Sequence, residues 1–118
     1  MDFSEFLPWI DVKGGLARLM NNKKLYARLL KKYMDDTNFE SIVAPLTAGD
    51  LVAAHEKIHA FKGVSSNLSI AKNYELSKEL EAIVKERGDF TAKLSELRDS
   101  IESTAPAIAQ LTALFETT

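Results

Sequence analysis

The chain has 118 residues, no cysteine, 46% hydrophobic and 27% charged residues, and a formal net charge of −2. That length fits one domain, since single domains commonly run to about 100–150 residues, so residues 1–118 are read as a single unit. Without cysteine there are no disulfides, thiolate zinc sites or cysteine nucleophiles, and 15 Lys and Arg against 17 Asp and Glu leave no basic excess to hold nucleic acid. Five Gly and three Pro are too few for a turn-rich all-β chain. The start, Met1-Asp2-Phe3-Ser4-Glu5, is acidic where a secretory signal would be basic. No window approaches the roughly 20 uncharged apolar residues that cross a bilayer. A soluble, cytoplasmic, complete small protein is expected, with no membrane partner.

Apolar residues recur at helical spacing along nearly the whole chain. Phe3 to Trp9 is a short apolar piece stopped by Pro8, and Asp11 is placed to cap a helix after it. Leu16, Leu19 and Met20 mark that short helix, which Asn21-Asn22 ends. Lys23 to Asp36 comes next, with Leu25, Leu29, Leu30 and Tyr33 on one side and Lys24, Lys31 and Lys32 in water. Thr37-Asn38-Phe39-Glu40 has the form of a capping box and starts a piece carrying Ile42, Val43 and Leu46, interrupted by Pro45 and broken at Ala48-Gly49.

Asp50 caps the next helix, about 50–67. Its stripe of Leu51, Ala54, Ile58, Phe61, Ser65 and Leu68 has spacings of three and four. A further helix runs from about Ile70 to Arg87 and ends at Gly88. Asp89 caps the last, whose stripe is Leu94, Leu97, Ile101, Thr104, Ile108, Leu111 and Phe115, with Pro106 expected to kink it. Four substantial amphipathic helices with short connections predict an all-α antiparallel up-down four-helix bundle, with additional short N-terminal helices across one end.

The only histidines, His55 and His59, lie four apart on one helix, and His55-Glu56-Lys57-Ile58-His59 matches H-E-x-x-H. In zinc hydrolases that spacing places two imidazoles on one face, with the glutamate activating a metal-bound water. The surroundings disfavour this. Lys62 and Ser65 stand where an extended zinc motif needs Gly and His, and a third ligand would have to come from Glu75, Glu79 or Glu81 on the next helix.

A second reading starts from the stripe, which leaves His59 facing solvent. Lys62 and Gly63 are its neighbours one turn on. Glycine within a helix costs about 1 kcal/mol relative to alanine, so something needs room beside His59. An exposed imidazole, a nearby cation and a cleared surface suit a histidine that receives and donates a phosphoryl group. A partner would bring its own aspartate and metal ion.

At these residues the sequence resembles the histidine-containing phosphotransfer (HPt) domains of multistep phosphorelays. The pattern stands as His59-Ala60-Phe61-Lys62-Gly63-Val64-Ser65-Ser66-Asn67-Leu68, with Leu80-Glu81 on the next helix. Ile10-Asp11, Gly15-Leu16, Tyr26, Leu29-Leu30 and Ala48-Gly49-Asp50 also look like the family. The resemblance implies an HPt-like bundle with His59 as phosphoacceptor through Nε2. It makes Lys62 the residue that stabilises the phosphoryl group, and Gly63 the one that leaves the partner access. It further implies a monomeric carrier without a kinase domain and not itself an enzyme, holding no cofactor or metal. Its partners would be response-regulator receiver domains or a hybrid sensor histidine kinase. Ile58, Phe61 and Ser69 depart from the family's usual residues. They touch packing and the helix exit, and so bear on which partners bind.

His55 is followed by Ile58 and His59 where the motif has Lys and Gly, so it is expected to tune His59, line the docking surface or be partly buried. Lys23-Lys24 and Lys31-Lys32 read as a solvated helix face, or as steering charges for an acidic partner. Tyr26, Tyr33 and Met34 read as core, or as contacts flanking His59. Two other classes stay open. One is a small zinc hydrolase on His55, Glu56 and His59; the other is a helical interaction module that is never phosphorylated.

Overall fold

The computed structural model describes residues 3–117. A 3₁₀ turn at Ser4–Phe6 precedes α1 (Val12–Arg18), α2 (Lys23–Asp36), α3 (Glu40–Ala48), α4 (Leu51–Asn67), α5 (Ala71–Lys85) and α6 (Thr91–Glu116). Among the described residues there is no strand, and no helix is long and apolar enough to cross a membrane. The main packing partners are α4 with α5 and α2 with α6. Helix α5 also packs on α6, α3 on α4, and α1 on α2. The molecule measures 46 × 22 × 22 Å. Its long dimension is close to α6 itself, since 26 residues at 1.5 Å each span about 39 Å.

The helix starts obey local capping chemistry. Asp11, Asn22 and Asp50 each accept a bond from the backbone amide three residues on, at 3.0–3.1 Å. Asp89 accepts from the Thr91 amide at 3.0 Å, and that bond holds its carboxyl below the usual range. Gly49, at φ 76°, ends α3 in the left-handed conformation.

Several local expectations are corrected. Thr37 does not open α3; its hydroxyl turns back to the Tyr33 carbonyl, and Asn38 accepts from the Glu40 amide instead. The left-handed residue after α5 is Arg87 rather than Gly88, with α5 itself ending at Lys85. Met20 lies beyond α1 in a left-handed turn, 92% exposed, so it belongs to no apolar stripe. In α2 the core side is Tyr26, Ala27, Leu30 and Tyr33, with Leu29 only half-buried.

Two apolar clusters fill the interior. One gathers Phe6, Ile10, Leu16, Tyr26, Leu30, Ile70, Ile108 and Phe115; the other gathers Ile42, Leu46, Ala54, Ile58, Leu76, Leu80 and Leu97. Between them runs a buried polar belt touching all four long helices. The Tyr33 hydroxyl meets Ser65 Oγ at 2.9 Å and accepts from Asn73 Nδ2 at 3.0 Å. Ser100 Oγ donates to Asn73 Oδ1, and Ser77 Oγ to the Asn73 carbonyl, both at 2.6 Å. Burial pushes the Tyr33 hydroxyl up to about 12, against the opposing effect of its bonds with Ser65 and Asn73, so it remains protonated. Because every member is satisfied, the belt fixes helix register without an orphaned polar atom. Gly15 serves the same end of the molecule as Tyr26. A Cβ there would lie 2.3 Å from the Tyr26 hydroxyl, which donates to the Leu68 carbonyl.

Candidate functional site

Burial of Ala54, Ile58 and Ser65 sets the rotation of α4. His55, His59 and Lys62 then fall along the seam with α5, and Gly63 on the solvent side of it. His59 is the most open of its three ionisable side chains, 65% exposed against 42% for His55 and 22% for Lys62. Glu81, directly after the buried Leu80 of α5, reaches into this seam and is only 14% exposed.

Glu81 organises the cluster. Lys62 Nζ donates to its Oε1 at 2.6 Å, and His59 Nδ1 lies 2.7 Å from its Oε2. Burial pushes the Glu81 carboxyl up, yet hydrogen bonds from Lys62 and His59, together with the Lys62 charge, outweigh it and hold the group below its ordinary range. An ionised carboxylate only accepts hydrogen bonds, so the His59 proton sits on Nδ1 and the Nε2 lone pair is left free. His55 stacks beside His59 with ring centroids 6.0 Å apart and planes 12° apart. Its Nε2 stands 3.4 Å from the same Glu81 oxygen.

Gly63 is exposed, and a Cβ built on it would meet nothing within 4 Å. The protein's own packing therefore gives no reason for glycine at this helical position. On the flank of α4, Ala60 and Val64 border an open, mostly apolar groove shared with Leu29, Tyr33, Ile42 and Phe61.

The sequence-derived site residues thus come together as one surface: His59, Lys62 and Gly63 share a face, and His55 joins them. Glu56 is exposed and takes no part in the cluster. No group of three His, Asp or Glu among the described residues stands in a metal-holding arrangement. Glu75 and Glu79 lie elsewhere on α5, with Glu79 paired to Lys93. Tyr26 and Tyr33 are core residues, and Met34 is packed against the first apolar cluster. Lys31 and Lys32 are solvent-facing and pair with Glu116 and Asp36.

Glu81 as the anchor of both His59 and Lys62 was not legible in the sequence. The sign of it was a carboxylate immediately after a buried leucine, on a helix otherwise rich in exposed Glu and Lys. Compared with known proteins, the chain matches no family model, no curated protein and no solved structure at a significant level.

Proposed function

We propose that the chain is an HPt-type phosphoryl carrier, accepting from and donating to aspartates of receiver domains through Nε2 of His59. The observation that carries this reading is the pairing of an exposed imidazole with a half-buried carboxylate at its inner nitrogen. With Nδ1–H held by Glu81, the Nε2 lone pair attacks the partner's aspartyl phosphate. The N–P bond forms as the P–O bond breaks, and the electron pair leaves on the partner's carboxylate. The ring keeps its Nδ1 proton, donated in a hydrogen bond to Glu81, throughout. Reverse transfer returns the lone pair to Nε2, so neither direction requires a proton to be gained or lost.

Lys62, one turn from His59, supplies a positive charge for the phosphoryl oxygens. The open space at Gly63 and the apolar border at Ala60 and Val64 suit close approach of a second protein. The metal ion and the aspartate come with that partner. The HPt-like form of the bundle belongs to the same proposal: its support is the set of four long helices with the His–Lys–Gly face on α4.

The test is transfer of labelled phosphoryl from a phosphorylated receiver domain to this chain. Wild type and His55→Gln are expected to label, and His59→Gln is not. Equal labelling of wild type and His59→Gln would overturn the reading. One equivalent of tightly bound zinc that is lost in His55→Ala would turn attention to hydrolysis instead.

A further inference from the structure

The two histidines converge on one oxygen, and only one of them is explained by phosphoryl transfer. Glu81 Oε2 is 2.7 Å from His59 Nδ1 and 3.4 Å from His55 Nε2, while Lys62 occupies Oε1. We infer that His55 is a positioning residue which, when it takes up a proton, competes with His59 for Glu81 Oε2 and so lowers phosphoryl transfer on the acid side. The inference rests on the proposed role of His59.

Donor strength decides the competition. A neutral His55 at 3.4 Å makes a long, weak contact, and His59 keeps the carboxylate. A protonated imidazole is a charge-assisted donor, which draws closer and binds about twice as strongly as a neutral one. Oε2 then has two donors competing for it. As the His59 Nδ1–H bond weakens, the tautomer carrying its proton on Nε2 becomes accessible, and that tautomer has no lone pair for attack.

Few other charges intervene. On α5, Glu81 is the only ionisable side chain bonded to His55, while Lys78 and Lys85 lie one turn to either side of it and are exposed. On α4, His55 faces His59 and, across Glu81, Lys62; the exposed Glu56 and Lys57 come directly after it in sequence. Glu40 is the sole ionisable residue of α3 and sits at its first position.

The experiment compares transfer from a phosphorylated receiver domain between pH 6 and 8 for wild type, His55→Gln and His55→Lys. Alongside it, ¹⁵N spectra of the free proteins record which nitrogen of His59 bears the proton. Wild type and His55→Gln are expected to transfer equally at pH 8, with wild type slower than His55→Gln at pH 6. His55→Lys, charged throughout, is expected to be slow at both. The His59 Nδ1–H signature should weaken on acidification in wild type more than in His55→Gln. A constant rate ratio between wild type and His55→Gln, with identical His59 spectra, overturns the inference. Failure of the relay itself looks different, because wild type then accepts no label at any pH.

Discussion

Gly63→Ala separates stability from function in opposite directions. The position lies inside α4 and is exposed, and a methyl group there meets no atom within 4 Å. No steric cost arises, so helix propensity decides: alanine gains about 0.8–1 kcal/mol over glycine. For a chain of 118 residues that corresponds to a rise of about 4 °C in Tm. Gly63→Leu should be stabilised almost as much, since leucine is nearly as good a helix former. On the proposed function, transfer from a phosphorylated receiver domain should move the other way, because the added side chain enters the space that a docking partner would need. Overpacking a fitted contact costs about 1–3 kcal/mol, so Gly63→Leu should transfer about fivefold slower or worse. Circular dichroism melts and a transfer time course measure the two effects on the same samples. If Gly63→Ala melts below wild type, the space over Gly63 is not empty. If both variants are stabilised and transfer at the wild-type rate, Gly63 has nothing to do with partner access.

Two further substitutions probe the groups around the site. Glu81→Gln is expected to destabilise the fold at pH 7, with a sign fixed by linkage. The folded carboxyl lies below the ordinary value of 4.5, so its contribution is complete above that value and is lost as pH falls through the folded range. Urea unfolding should therefore show the gap between wild type and Glu81→Gln closing as pH falls below 4.5; a gap that stays constant points to lost packing rather than lost charge. Asn73→Ala strips partners from the Tyr33 and Ser100 hydroxyls, both buried, and should cost about 2–3 kcal/mol in urea unfolding while leaving His59 labelling of the folded protein unchanged. A loss under about 0.5 kcal/mol would show that water or local repacking satisfies those groups.

Local signals were readable in the sequence, and signals made by distant pairings were not. Asp11 and Asp50 were readable as caps because a cap needs only its own side chain and the amide three residues on. The α4 stripe was readable because burial of Ala54 and Ile58 recurs with the helical period, and His59 then had to face outward. Leu25 and Leu29 looked more buried than they are, while Tyr26 carries the α2 core, because the helix turns to bring its hydroxyl to the Leu68 carbonyl across 42 positions. The polar belt left only half a trace: Ser65 sat in an apolar stripe, but nothing marked Asn73 on α5 as the group that joins Tyr33 to Ser100. Glu81 was harder still, since the pairing of α4 with α5 alone selects it from the acidic residues of that helix.

The resting partner of Lys62 bears on why such a carrier would be reversible. Were its ammonium unpaired, a phosphoryl group arriving on His59 would gain a full new ion pair and tend to stay. Lys62 is instead already bonded to Glu81 at 2.6 Å, so a phosphoryl group can draw it only by exchanging one anion for another. The net gain is the difference between two ion pairs, each worth about 1 kcal/mol at contact in water and somewhat more in this half-buried seam. Glu81 also keeps its bond to His59 Nδ1, so the ring does not have to find a new proton partner when Lys62 turns away. On the proposed function, one carboxylate thus does two things that pull against a trap: it orients the nucleophile, and it offsets the attraction that would otherwise hold the product.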